Sequence, residues 1–417
     1  VLRQPYARKT GVAALDESYV YCYRDKAGDL LRAVRTGLES EGLGDMAGSV
    51  VLGASASTSA REKVDVSVRE QFKSYAGKVY LPCFVIVDDS GELREVEYEI
   101  DILSRIDWSH IDLSLFDTLQ PNVSATGDSH TRINLDETLP VLEAAPAPEM
   151  MVDPVFMTRQ LLEDVPNPWV AYDIVGDELN RLRHNAAWDD TVLQRNIGFV
   201  IEELRKLIIH ERRRLAKQVF LNLVETEQLR FYLVTGFAPG VLPERISVDR
   251  NGVRLTTATG DQLQSSFYDY LMADDFNAVE RAVGLYLDQH YWVLSWYRNM
   301  VHSGYYVQGW QEHRVWSDFI VLGRDAPEQL NPQPLSTIYV LETKGLHLKN
   351  EDTDYKKELF KLCNELSKPQ PWNMIENDFA EHSVAFQVIY EDEWERILNA
   401  MLHPPLQDRA NDEDMSD

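Results

Sequence analysis

A chain of 417 residues with 44% hydrophobic side chains is long enough for two or three domains with real cores, which excludes wholesale disorder. Its 41 basic and 68 acidic residues give a formal net charge of −27, which argues against tight autonomous binding to nucleic acid through a basic surface but leaves the local field of a groove open. Three widely spaced cysteines (Cys22, Cys83, Cys363) exclude a disulfide framework and a zinc site and point to a cytoplasmic setting; no apolar run nears the roughly 20 residues that span a bilayer.

The first residues, Val-Leu-Arg without Met, are read as the start of a fragment whose upstream part is missing. SYVYCY (18–23) is a short β-rich run, and Leu30, Leu31, Val34 and Leu38 recur at helical spacing until a Gly-rich stretch ends the helix. Residues 63–103 alternate as strands in three segments: VDVSV, KVYLPCFVIVDD and ELREVEYEIDIL. Asp88-Asp89-Ser90-Gly91 marks a hairpin turn between the last two. Residues 119–152 form a connection with one strand-like stretch, TRINL. Residues 155–232 are mainly helical, with the longest stretch from Leu193 to about Val224. Within it RKLIIHERRRLAK (205–217) reads as the charged side of an amphipathic helix with Leu204, Ile208 and Leu215 inside, although it could also track a DNA backbone. A β-rich bridge covers Leu229 to Thr257, and 263–403 runs helix, strands, helix, strand. The tail after Pro404-Pro405 is acidic and expected to be disordered.

The residues that carry chemistry lie in 263–403. RVWSDFIVL (314–322) is a strand with one carboxylate, Asp318, among apolar residues. STIYVLETKG (336–345) is a second strand, on which period-2 alternation puts Glu342 and Lys344 on one face. If the strands pair with Asp318 beside Glu342, two carboxylates and an ammonium converge on one point. Two close carboxylates repel unless a cation sits between them, and Mg²⁺ is commonly held by one or two carboxylates and substrate phosphate. Lys344 would then orient a water or stabilise charge developing on phosphorus. Arg298 is positioned either to contact DNA phosphate or to close a salt bridge to a nearby carboxylate. Trp292, Trp296, Trp310 and Trp316 read as core rather than as base-stacking platforms.

Asp318 followed on the next strand by Glu342-x-Lys344 resembles the PD-(D/E)xK nuclease superfamily, with Ser317 in place of its frequent proline. The surrounding FN (276–277), WYRN (296–299), YYVQGW (305–310), SDFIVL and YVLETKG are similar to the C-terminal nuclease of the type III restriction enzyme Res subunit and its DEAD/DEAH-type helicase relatives. The resemblance implies an acidic residue on the helix before the first strand, here Glu280, and a polar or basic residue on the helix after the second, here Tyr355 or Lys356. VLRQPYARKTG resembles the tail of helicase motif VI, which implies an ATP-phosphate contact by Arg3, with Arg8 the alternative. No GxxxxGK[ST] loop is present, so this chain alone is not expected to hydrolyse ATP.

The expected architecture is α/β and α+β multidomain: 1–52 the end of a second helicase lobe, 53–262 a mixed connector, 263–403 a restriction-endonuclease-like mixed β-sheet flanked by helices, and 404–417 the tail. The expected reaction is Mg²⁺-dependent hydrolysis of DNA phosphodiesters. Asp318 and Glu342 would hold the metal, with the Thr343 carbonyl as a further donor, Lys344 would assist the water, and Glu280 would complete the site. ATP would be needed only by the intact parent. The resemblance implies double-stranded DNA as substrate and either a methyltransferase partner or a role as a phage-defence effector. The rivals are a non-cutting DNA-binding or docking module and a translocase in which cutting is secondary.

Overall fold

The computed structural model describes residues 63–77, 79–87, 91, 93–121, 152–184, 187–233, 242–249, 253–299, 304–324, 335–345, 351–367 and 383–402. Arg3, Arg8, the 28–42 helix, TRINL and the 404–417 tail lie outside these residues. The fold is mixed α and β with three small sheets among the described residues. It divides into two compact units. One takes its described residues from 63–80, 241–305 and 316–402, the other from 81–240 and 306–315. This grouping differs from the expected division at 262/263. Strand β1 (Lys63–Ser67) pairs antiparallel with β5 (Arg245–Asp249) and so joins the unit that carries the 263–403 strands.

In the helix-rich unit, β2 (Cys83–Val87) lies between β3 (Leu93–Glu95) and β4 (Leu229–Tyr232), antiparallel to both. Val87 faces Leu93 across the expected hairpin, and Gly91 takes a φ of 83°, the left-handed conformation that its turn signal requires. The third predicted strand is cut short. After Glu95 the chain turns helically at Tyr98–Ile102 and Leu103–Arg105. The cause is Asp101, 1% exposed, whose carboxylate accepts the Glu97 N–H (2.8 Å) and pairs with Arg94, folding the alternating pattern back on itself.

Four helices follow: α1 (Pro154–Leu161), α2 (Pro168–His184), α3 (Asp190–Arg195) and α4 (Ile197–Glu225). Asp153 and Asp189 cap the first and third, each accepting a backbone N–H. Leu204, Ile208 and Leu215 are buried as the amphipathic reading requires. The opposite charges are spent internally: Arg205 bonds Glu163 and Asp164, and Arg214 bonds Glu211.

Glu178 on α2 is buried, with Arg181 3.2 Å from one oxygen and no hydrogen-bond partner at the other. Burial pushes its carboxyl up to about 7, and Arg181 offsets only part of this. A carboxyl with a folded pKa above its unfolded value favours the fold below the unfolded pKa, and that contribution is lost as pH rises through about 7. Glu178→Gln, which mimics the neutral acid, is therefore expected to raise Tm by a few degrees at pH 8 and to change it little at pH 4.5. Thermal unfolding at the two pH values checks this.

The other unit carries the four-stranded sheet β6-β7-β8-β9. Strands β6 (Val293–Arg298), β7 (Phe319–Arg324) and β8 (Leu335–Lys344) are antiparallel neighbours, and β9 (Ser383–Tyr390) runs parallel to β8. Helix α5 (Ala278–Gln289) precedes β6, and α6 (Glu351–Ser367) connects β8 to β9. A further helix not separated in the sequence reading, α7 (Trp394–Leu402), follows β9. The sheet is apolar on both faces. Phe319, Val321, Leu341 and Ile389 share a core with Val283 and Leu287 of α5 and Leu398 and Leu402 of α7. The alternate residues meet α6, where Phe360 packs edge-on against Phe386. Burying each such side chain stabilises the fold by about 1.5–3 kcal/mol. Gly284 lets α5 come close, since a Cβ there would lie 3.3 Å from the Trp296 ring. Trp296 and Trp310 are buried as core, and Trp292 and Trp316 are half-buried.

Candidate active site

The antiparallel register pairs Phe319 with Leu341, so Asp318 comes to β8 beside Glu342. Asp318 stands one residue before β7, not within the strand as the apolar pattern suggests. Its N–H donates to the Leu341 carbonyl (2.8 Å), and its own carbonyl accepts the Asn299 N–H (2.9 Å). Asn299, 2% exposed, anchors this strand end, because its amide donates to the Tyr305 and Ser317 carbonyls and accepts the Tyr305 N–H. Nothing local in the WYRN motif shows that the partners of Asn299 would be the carbonyls at 305 and 317.

The Asp318 carboxylate is held at both oxygens. Oδ2 accepts from the Thr343 N–H (2.6 Å) and hydroxyl (2.7 Å), and Oδ1 lies 3.2 Å from Arg298 Nη1. Arg298, at the end of β6, also reaches Glu280 Oε1 through Nη2 at 3.0 Å. Of the two readings open for Arg298, the salt bridge is the one found, and it spans two carboxylates. Glu280 is not on a solvated helix face. It is 7% exposed and closes a capping box at the start of α5, accepting the Asn277 N–H while Asn277 accepts its own (both 2.9 Å). Burial, then the neighbouring Asp318, push its carboxyl up to about 7 against the pull of Arg298.

On β8, alternation places Glu342 and Lys344 on one face as expected, with Lys344 Nζ 3.0 Å from Glu342 Oε1. The same oxygen receives Lys356 Nζ from α6 at 2.9 Å. Between the two candidates on that helix, Lys356 supplies the contact, and its neighbour Tyr355 is buried. Asp352, one turn earlier on α6, lies 3.4 Å from Lys356 and 3.8 Å from Lys344. Its i,i+4 spacing from Lys356 is the sequence signal that could have found it. Burial alone would raise the Glu342 carboxyl, but the two ammoniums overcome this and hold it below the usual carboxylate range. Burial lowers and Glu342 more than restores the Lys356 ammonium, whose pKa is raised.

The expected triad is thus brought together in part. Glu342 and Lys344 are in direct contact, while Asp318 is joined to Glu280 through Arg298. The two groups adjoin at Thr343, which binds Asp318 and lies in the chain between Glu342 and Lys344. Their fields overlap, since Arg298 is stabilised as a cation by Asp318, Glu280 and Glu342 together. Among the described residues, no three Asp, Glu, His or Cys side chains form a group that could hold a metal ion as they stand. Each of the two expected metal-holding acids is paired with basic side chains, Asp318 with Arg298 and Glu342 with Lys344 and Lys356. One feature does fit a hard cation. Glu342 Oε2 is buried, on a residue only 3% exposed, and has no hydrogen-bond partner.

No family model, curated protein or solved structure matches this chain. Among the described residues, no helix is long and apolar enough to cross a membrane.

Proposed function

We propose that the sheet-bearing unit is a Mg²⁺-dependent deoxyribonuclease of the PD-(D/E)xK kind, acting on phosphodiesters of double-stranded DNA. The observation that carries this reading is the buried Glu342–Lys344 pair on β8, with Asp318 fixed to the intervening Thr343. The helix–three strands–helix–strand order, with only the last strand parallel to its neighbour, supports it, since the resemblance implies such a mixed sheet flanked by helices.

Asp318 and Glu342 are the residues that would hold the ion, Glu342 through its unbonded Oε2, with the Thr343 carbonyl as a further oxygen donor. Bound there, Mg²⁺ would polarise the phosphoryl oxygen and lower the pKa of a water. Lys344, fixed by Glu342, orients that water or stabilises negative charge developing at phosphorus. Lys356 compensates Glu342 from the opposite element and keeps its side chain in place. Glu280 completes the acidic set from α5. ATP-driven movement, contributed in part by Arg3, and a methyltransferase partner belong to the proposed intact parent.

A second reading has an observation in its favour. Arg298, Lys344 and Lys356 already balance most of the charge of Glu280, Asp318, Glu342 and Asp352, as expected of a non-cutting DNA-binding or docking module that keeps the fold. Incubating supercoiled plasmid with the chain separates the two. The nuclease reading expects nicked or linear DNA with Mg²⁺ and none with EDTA. Intact plasmid under both conditions would favour the module.

A further inference from the structure

Arg298 holds two carboxylates from different elements, Glu280 of α5 at 3.0 Å and Asp318 before β7 at 3.2 Å. Its guanidinium is 15% exposed and stacks against the Phe276 and Phe319 rings, 5.8 and 5.5 Å from their centroids. It therefore already supplies positive charge to Asp318, one of the two proposed metal-holding acids. We propose, on the strength of the nuclease reading, that Arg298 is an internal counter-cation of this site. A divalent ion enters by exchange with the guanidinium, so Arg298 gates metal loading.

Two observations carry the exchange. First, both Asp318 oxygens are engaged, one by Thr343 and the other by Arg298. An ion that replaces Arg298 at its oxygen leaves the β8 anchor at the other oxygen intact. Second, the guanidinium is incompletely bound where it is, since its buried Nε–H has no partner. The closed cluster sets four carboxyl groups against three cations, so withdrawing Arg298 increases its acidic excess.

If the closed form dominates, apparent metal affinity is reduced by the small fraction in which Arg298 has left. The test is Mg²⁺ titration by calorimetry and by Mg²⁺-dependent shift of thermal unfolding, on the wild-type chain, Arg298→Met and Arg298→Lys. Arg298→Met is expected to bind Mg²⁺ about tenfold more tightly and to gain more thermal stability from it. Arg298→Lys, a point charge that cannot span both acids, should fall between Met and wild type, and it decides the question if the methionine variant does not fold. Mg²⁺ binding by only the variants would also support the gate. Equal or weaker binding by folded variants, with the wild type binding, would overturn the gate and leave the nuclease reading standing. No binding by any of the three would overturn both.

Discussion

Replacing Lys344 with alanine is expected to lower Mg²⁺-dependent DNA cleavage by about 10²–10³-fold while the chain stays folded. The loss follows from position. Lys344 Nζ is held 3.0 Å from Glu342 on the same strand face, so its charge is aimed before substrate arrives and needs no reorganisation. The fold survives because Glu342 keeps Lys356 at 2.9 Å and is not left buried without a counter-charge. Lys356→Ala is the matching control, since it removes the other ammonium and leaves Lys344 in place. Plasmid nicking rates, with circular dichroism to confirm folding, measure both. Undiminished cleavage by folded Lys344→Ala would remove this residue from the mechanism.

Glu342→Ala should have the largest effect on stability, a loss of about 3–5 kcal/mol, because it leaves Lys344 and Lys356 facing one another in a site where each is nearly buried. The pH dependence carries a sign. The Glu342 carboxyl is held below its ordinary value, so its contribution is present above the unfolded pKa, near 4.3, and is lost as pH falls through the lower folded value. Lys356 is shifted the other way, so its contribution is full below about 10.4 and fades only in stronger base. The wild type should therefore lose stability below pH 4 more steeply than Glu342→Ala. Urea unfolding at pH 7 and pH 3 tests this, and a loss under 1 kcal/mol at pH 7 would mean that the lysines find other partners.

The parts of the fold and of the site that could be read from the sequence are those that obey a short period. Alternation along β8 placed Glu342 and Lys344 together, and helical spacing predicted the buried Leu204, Ile208 and Leu215 of α4. Glu280 came from resemblance, but its burial has a local cause in the Asn277 capping box, which the sequence does display. Pairings across long separations left no local trace. Nothing near Lys63–Ser67 announces that Arg245–Asp249 will lie beside it, so the connector expected at 53–262 is shared between two units. The bridge from Arg298 to Glu280 and Asp318 was equally hidden, because either a phosphate or a carboxylate satisfies a guanidinium. In the 98–103 stretch, alternation misled because a buried Asp101 bonding to Glu97 and Arg94 outweighed strand propensity.

The proposed cleavage requires a divalent ion held between the start of β7 and the end of β8. Anomalous diffraction from crystals of the chain grown with Mn²⁺ as a Mg²⁺ substitute examines this directly. The prediction is one peak ligated by oxygens of both Asp318 and Glu342, with Arg298 withdrawn from Asp318. A map with no peak there, and Arg298 still bridging Asp318 and Glu280 at saturating Mn²⁺, would contradict it.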